Sequence, residues 1–270
     1  VTPEASPQPS ATLPNAATQP VGVPEASAPA SRGPPSQLIE IGALPTFVYL
    51  DQQSNFAPRN WSSSSPGAEI RVRTWISDEV GINAMFLTTL GSSLQDGLSS
   101  ARLTPMTFTR FTTGLSYRGR YDSGGVVSQF IGRFEYIENQ VRVPQTSEFR
   151  QRTNTTGFAV SGEADIGVDQ GRSLRVEMTF APRIKHEELD RDRLGASGTS
   201  PDTHLIGGAI GYRWRLSPTL AVDLRLHHSF ERSLFGSTSS QPDPVQGQVV
   251  RGVGSAQSLS LVQIGFEWGN

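Results

Sequence analysis

From Leu38 onward, apolar and polar residues alternate with a period of two rather than 3.6, the spacing of strands and not of helices. Ten segments carry the pattern: Leu38–Asp51, Gly67–Ser77, Val80–Gly91, Pro105–Arg118, Val126–Glu138, Thr155–Val168, Ser173–His186, His204–Leu216, Leu220–Arg232 and Ser258–Trp268. Each is long enough to cross a bilayer as a tilted strand, which takes about 9–11 residues. In the seventh, Leu174, Val176, Met178, Phe180 and Ile184 share one face, and Arg175, Glu177, Thr179, Arg183 and Lys185 the other. In the ninth, Leu220, Val222, Leu224, Leu226 and Phe230 oppose Asp223, Arg225, His227, Ser229 and Glu231. Strands so divided touch two different media. The first and fourth segments alternate poorly, which leaves the strand number between eight and twelve.

The connections alternate in length. Asp78–Glu79, Gly119–Gly125, Asp169–Arg172 and Ser217–Thr219 are short; Gln52–Pro66, Ser92–Thr104, Asn139–Asn154, Glu187–Thr203 and Ser233–Gln257 are long. Long loops at one end and tight turns at the other fit a closed antiparallel transmembrane β-barrel of about ten strands, all-β in class. The competing architecture, a soluble β-sandwich, would keep its largest rings in the centre of a core. Here the aromatics gather at segment ends on the apolar face. Tyr49 and Tyr136, with Phe47 and Phe134, lie at the long-loop end; Tyr117, Tyr212, Trp214, Phe266 and Trp268 lie at the other. Two such belts are what membrane interfaces select. Ser- and Gly-rich stretches of the long loops, Trp61–Pro66 and Gly236–Gln248, read as mobile surface loops.

Composition separates a tail from this barrel. Residues 1–36 hold nine prolines, no aromatic, and only Glu4, Glu25 and Arg32 as charges. Such a segment cannot bury enough apolar surface to offset its ordering entropy and is expected to be a disordered, extended periplasmic arm. Residues 37–270 form the barrel. There is no cysteine, no run apolar enough for a membrane-spanning helix, and no basic-plus-apolar leader at Val1, so a signal peptide is expected to have been removed already. A formal net charge of −2 gives no basic stripe for nucleic acid. No cofactor or metal is expected, because the four histidines lack ligand spacing.

The last segment, Ser260 to Trp268, ends alternate apolar positions on an aromatic and resembles the closing strand of bacterial outer-membrane β-barrels. Gly269 and Asn270 follow the aromatic, a departure from strictly terminal placement. The resemblance is architectural and implies an outer-membrane location with both termini periplasmic. It also implies contact with outer-membrane lipid and lipopolysaccharide, and a periplasmic or outer-membrane protein complex reached through residues 1–36.

With the charged faces inward, the lumen receives Arg71, Arg73, Arg110, Arg118, Arg133, Arg175, Arg183, Lys185, Arg213, Arg215 and Arg225. It also receives Glu40, Glu69, Glu135, Glu163, Asp165, Glu177, Asp223, Glu231 and Glu267. A barrel of this size is narrow, so these groups should pair across it and fill it. The favoured reading is a plugged structural, adhesive or complex-forming barrel, and the alternative is a narrow porin-like path for small anions. A third reading is a hydrolase. His227 and Ser229 are similar in spacing to the His-x-Ser of outer-membrane lipid A deacylases, with Glu231 close by, but these three face the lumen, and residues i and i+2 stand about 7 Å apart. Ten strands also resemble the omptin proteases, for which His186, Glu187, Glu188, Asp190, Asp192 and His204 offer acidic and histidine groups at the rim. No omptin motif aligns.

Overall fold

The computed structural model describes residues 38–96, 103–144, 152–188, 202–236 and 238–269; the Pro-rich segment 1–36 lies outside them. The strands are β1 (Ile39–Ser54), β2 (Trp61–Trp75), β3 (Val80–Thr89), β4 (Ser92–Asp96), β5 (Leu103–Ser123), β6 (Val126–Arg142) and β7 (Thr153–Gly167). They continue with β8 (Arg172–Glu188), β9 (Asp202–Arg215), β10 (Leu220–Leu234), β11 (Thr238–Pro242), β12 (Val249–Arg251) and β13 (Gly254–Gly269). Each wall strand pairs antiparallel with the next, and β1 pairs with both β2 and β13. The sheet therefore closes, and its ten wall strands are the ten segments read from the sequence. Closure satisfies every ladder without an edge, which is the condition for strands to cross lipid.

Charged faces turn inward and apolar faces outward, as on β10, where Asp223, Arg225 and Glu231 are buried while Leu224, Leu226 and Phe230 are exposed. Two one-residue bulges interrupt this rule. β4 is a continuation of β3: Gly67 opposes Thr89, but Ser62 opposes Gln95, so an extra residue sits at Leu90–Gly91. Gly91 takes the left-handed conformation, φ +64°, that the turn of chain requires. Beyond it the inward parity changes from Leu87 and Thr89 to Ser92 and Leu94. The second bulge lies in β8 between Ala181 and Ile184. Pro182 lacks the N–H that a regular ladder needs and tolerates a bulge well. Ala181, Ile184 and His186 are buried, whereas Pro182, Arg183 and Lys185 are exposed. Arg183 and Lys185 thus leave the lumen, contrary to simple alternation, and Ile184 enters it.

Three expected loops contain more order than the sequence suggested. The link at Gly119–Gly125 is mostly ladder, from Gly119 opposite Phe130 to Ser123 opposite Val126, closed by Gly124 and Gly125 at φ +62° and +83°. Alternation is lost there because residues 119–123 are exposed on both faces. Trp61–Pro66 belongs to β2, and much of Gly236–Gln248 belongs to the β11–β12 hairpin rather than to mobile loop.

The poor alternation of β1 and β5 also has a physical cause. Leu44, Val48 and Leu50 of β1 and Met106 and Phe108 of β5 point inward, opposite outward Phe47, Phe111 and Leu115. Val48, Leu50, Trp61, Leu87, Leu94, Phe108, Val141, Leu259 and Leu261 build an apolar layer inside the long-loop half of the barrel. Each fully buried side chain of this kind contributes about 1.5–3 kcal/mol.

At the closing seam β13 approaches β1 so tightly that a Cβ on Gly265 would stand 2.2 Å from the Ala43 carbonyl oxygen and 2.7 Å from Leu44 Cα. Gly265→Ala is expected to lower stability by about 1–3 kcal/mol, as overpacking does. Its denaturant midpoint, followed by the gel shift between unheated and boiled samples, measures the loss; an unchanged midpoint would refute the tight seam.

Candidate functional site

The lumen holds the densest chemistry of the molecule. Alternation within regular β-strands aims residues from opposite walls at the same space, where long arginines meet carboxylates. Arg175 on β8 is the hub: its Nη1 and Nη2 donate to both oxygens of Glu267 at 2.6 and 3.0 Å, and Nη1 also reaches Asp223 at 3.1 Å. Arg133 donates to Glu163 at 2.6 Å and Glu177 at 2.5 Å. Arg73 joins Glu163 and Glu40, each at 3.1 Å, while Arg225 reaches Glu177 at 3.1 Å. Arg213 lies 3.2 Å from Glu267 and 3.4 Å from Asp165; Arg71 pairs with Glu69. Neutral groups complete the set. Asn83 and Ser161 donate to Glu135 at 2.6 and 2.8 Å, and Gln263 to Glu69 at 2.8 Å. Arg118 covers the Trp75 ring at 3.8 Å.

Arg183, Lys185 and Arg215 stand apart from this network. The β8 bulge turns the first two outward, and Arg215 is exposed at the short-turn end. Removing them from the expected lumen set leaves eight arginines facing nine carboxylates, a near balance with no cationic excess. A cavity of about 100 Å3 remains among Arg71, Arg110, Arg133, Glu177, Arg225 and His227, room for several waters.

The proposed acid–base groups do not assemble. Ser229 accepts from Arg110 Nη2 at 3.2 Å, His227 lies 3.5 Å from Arg110 Nη1, and Glu231 accepts from Thr155 at 3.0 Å and Asn139 at 3.3 Å. His186 places Nδ1 3.0 Å from Ser233 and 3.4 Å from Glu231. A triad needs the hydroxyl and the acid on opposite ring nitrogens; here both meet the same one. Of the rim residues, Glu188 pairs inward with Arg59, Glu187 pairs outward with Lys185, and His204 faces outward. Asp190 and Asp192 lie outside the described residues. Among those described, no three His, Cys, Asp or Glu side chains gather as a metal site.

A lid crosses the long-loop end. Phe56, Phe235, Val250 and Val253 form its small core. Phe235 meets His186 edge-on at 5.3 Å and carries the Arg59 guanidinium at 4.7 Å, so the lid rests on the inward face of β8 across the mouth. Asp243 ties its two halves together, accepting from the amides of Ala57 (2.7 Å), Val245 (2.7 Å) and Gln246 (3.0 Å). The Arg59, Glu188 and Asp243 contacts had no signal in the sequence, since all three lie in segments read as loop.

On the outer wall, Tyr49, Tyr117, Trp214 and Trp268 are exposed, Tyr136 packs edge-on against Phe158 at 5.9 Å, and Tyr212 lies 4.4 Å from Trp214. Between Arg172 and the Pro182–Arg183 bulge, β8 exposes Val176, Met178 and Phe180. Ten residues at about 3.4 Å each, tilted near 40°, span roughly 26 Å, the height of a hydrocarbon band. The architecture is that of an outer-membrane β-barrel.

Solved structures of similar architecture include the outer membrane protease OmpT from Escherichia coli, with 9% identity over 86% of this chain and 96% of that one and a TM-score of 0.49. An outer membrane channel from Pseudomonas putida F1 gives 12% identity, coverages of 87% and 99%, and a TM-score of 0.33. The translocator domain of autotransporter NalP from Neisseria meningitidis gives 12%, 86% and 88%, and 0.37. No family model matches the chain, and no curated protein matches it in sequence.

Two outcomes follow. Arg175→Met leaves Glu267 and Asp223 short of their cation and is expected to cost about 3–5 kcal/mol, whereas Arg175→Met with Glu267→Met costs less; urea titration of both variants decides. For the lid, burial pushes the Asp243 carboxyl up, but the three amides outweigh it and hold it below its ordinary 3.8. A depressed value in the folded state means that the lid contact is at full strength above 3.8 and fades as the pH falls through the lower folded value. Hydrogen exchange in the 238–253 region, corrected for intrinsic rates, should stay flat above that pH and rise below it. Asp243→Ala should show the fast exchange at neutral pH already.

Proposed function

We propose that this chain is a non-conducting outer-membrane barrel that anchors surface or complex-forming contacts rather than passing solute. The observation that carries the reading is the double filling of the lumen: paired charges in one half and an apolar layer in the other. Ten strands enclose little more than side chains even before such filling. With charges near balance, there is no cationic lining to select anions. The lid adds a third barrier across the mouth. Both ends of the described barrel, Leu38 and Gly269, lie at the short-turn end, which we assign to the periplasm, with the long loops outside. To residues 1–36 we assign the contact with a periplasmic or outer-membrane protein complex.

Planar-bilayer recording tests this directly. The folded full chain should give no steady current steps. A steady, anion-selective current would instead establish the narrow-channel reading. Loss of the gel shift on heating, with no current, would mean that the barrel had not folded.

A further inference from the structure

The β8 bulge has a consequence on the outer wall. It carries Arg183 and Lys185 out of the lumen and sets Arg183 in the bulge that follows Phe180 and Lys185 at the next outward position, at the long-loop edge of the apolar band. On β9, His204 faces the bulge, between the pairs Ala181–Leu205 and Ile184–Thr203. On β10, Arg232 lies directly opposite His204. Neighbouring strands stand about 4.8 Å apart, so Arg183 and Arg232 flank His204 with their backbones about 10 Å from each other, within reach of one ligand. Arg183 and Arg232 are exposed and have no hydrogen-bond or ion-pair partner among the described residues. Lys185 pairs with Glu187, and Asp202 lies on the same face farther toward the loops. Immediately below run Phe180, Ile206 and Phe230, exposed and opposite one another across the three strands.

Away from this sector the edge of the band is neutral on β2, with Ser62 and Ser64, and on β5, with Thr107 and Thr109, while β6 carries Arg142, which donates to Gln140. The cations are therefore not a uniform solubilising rim. Arginine forks match phosphate oxygens in geometry, and unpaired cations next to an apolar surface at a bilayer edge suit a ligand that is anionic at one end and hydrocarbon at the other. A free anion would use only the first half of this arrangement.

We propose that Arg183, Lys185, His204 and Arg232 bind the phosphate groups of an anionic lipid in the leaflet at the long-loop end, its acyl chains lying along Phe180, Ile206 and Phe230. The assignment rests on the membrane reading above, but not on whether the lumen conducts.

The test uses the folded full chain in zwitterionic detergent, with bound lipid counted by native mass spectrometry. Lipid A, which carries two phosphates, should bind at least tenfold more tightly than the same lipid dephosphorylated. Arg183→Gln with Arg232→Gln should remove that preference, and Arg142→Gln, on the outer face of β6, should keep it. Equal binding of the two lipids, or full preference in the double variant, would overturn the site. So would complete competition by millimolar inorganic phosphate, which would assign the cluster to a free anion. If the double variant fails to show the heat-dependent gel shift, the two lipids on the unsubstituted chain still decide. Bilayer conductance remains a separate readout, so the two proposals can fail independently.

Discussion

Backbone hydrogen bonding in a medium without water is the constraint from which the rest of this molecule follows. A strand edge left open in hydrocarbon strands a row of N–H and C=O groups at several kcal/mol each. The seam between β1 and β13 removes that edge, running from Glu40 opposite Gly269 to Ser54 opposite Ser255. Closing ten strands fixes a narrow radius, and a narrow radius forces side chains from facing walls into contact. Gly265 at the seam and Gly114, whose Cβ would stand 2.1 Å from the Phe134 carbonyl oxygen, show how little room the walls leave.

Once the radius is fixed, the interior must be filled without leaving charges stranded. Arginine suits this task because one guanidinium can serve several carboxylates at once, as Arg175 does for Glu267 and Asp223. Carboxylates in excess would repel one another, and arginines in excess would draw in anions. The near balance of the two avoids both. Above the charged half, the apolar layer around Leu50, Leu87 and Phe108 fills the remaining width by packing alone. A lumen built this way gains stability from what a channel would leave open, so filling and conduction are opposed uses of the same space.

The sequence disclosed the fold where a side chain faced one medium consistently. The wall strands other than β1 and β5 were plainly legible from alternation, and so was the inward placement of Arg71, Arg133, Arg175 and Arg225. Legibility failed where the two faces stopped differing or the count slipped by one. Leu44, Val48 and Leu50 face a dry lumen, so β1 is apolar on both sides and its alternation fades. Residues 119–123 face water on both sides, so their ladder left no pattern. The bulges at Leu90–Gly91 and Pro182–Arg183 each change the parity of everything beyond them, which hid β4 and misplaced Arg183 and Lys185. Glycine and proline at those points were the available signals, since each marks a break in a ladder. The lid had none: Asp243 is held by backbone amides, whose partners no spacing of residue types encodes.

The parity change in β8 shows why such a break is kept. An unbulged β8 would send Arg183 and Lys185 into the lumen, where ten cations would then face nine carboxylates that already have partners. The extra residue replaces them with Ile184, which joins Ile137, Ala159, Ala181 and Leu205 in a small apolar cluster. The displaced cations then fall at the edge of the hydrocarbon band, where a charged outward side chain costs about 0–1 kcal/mol rather than the 2–4 kcal/mol of the midplane. One inserted residue thus settles two problems of charge placement together. It keeps two further cations out of the lumen, and it gives this sector of the outer wall a cationic edge, which neutral Ser and Thr positions on β2 and β5 do not share.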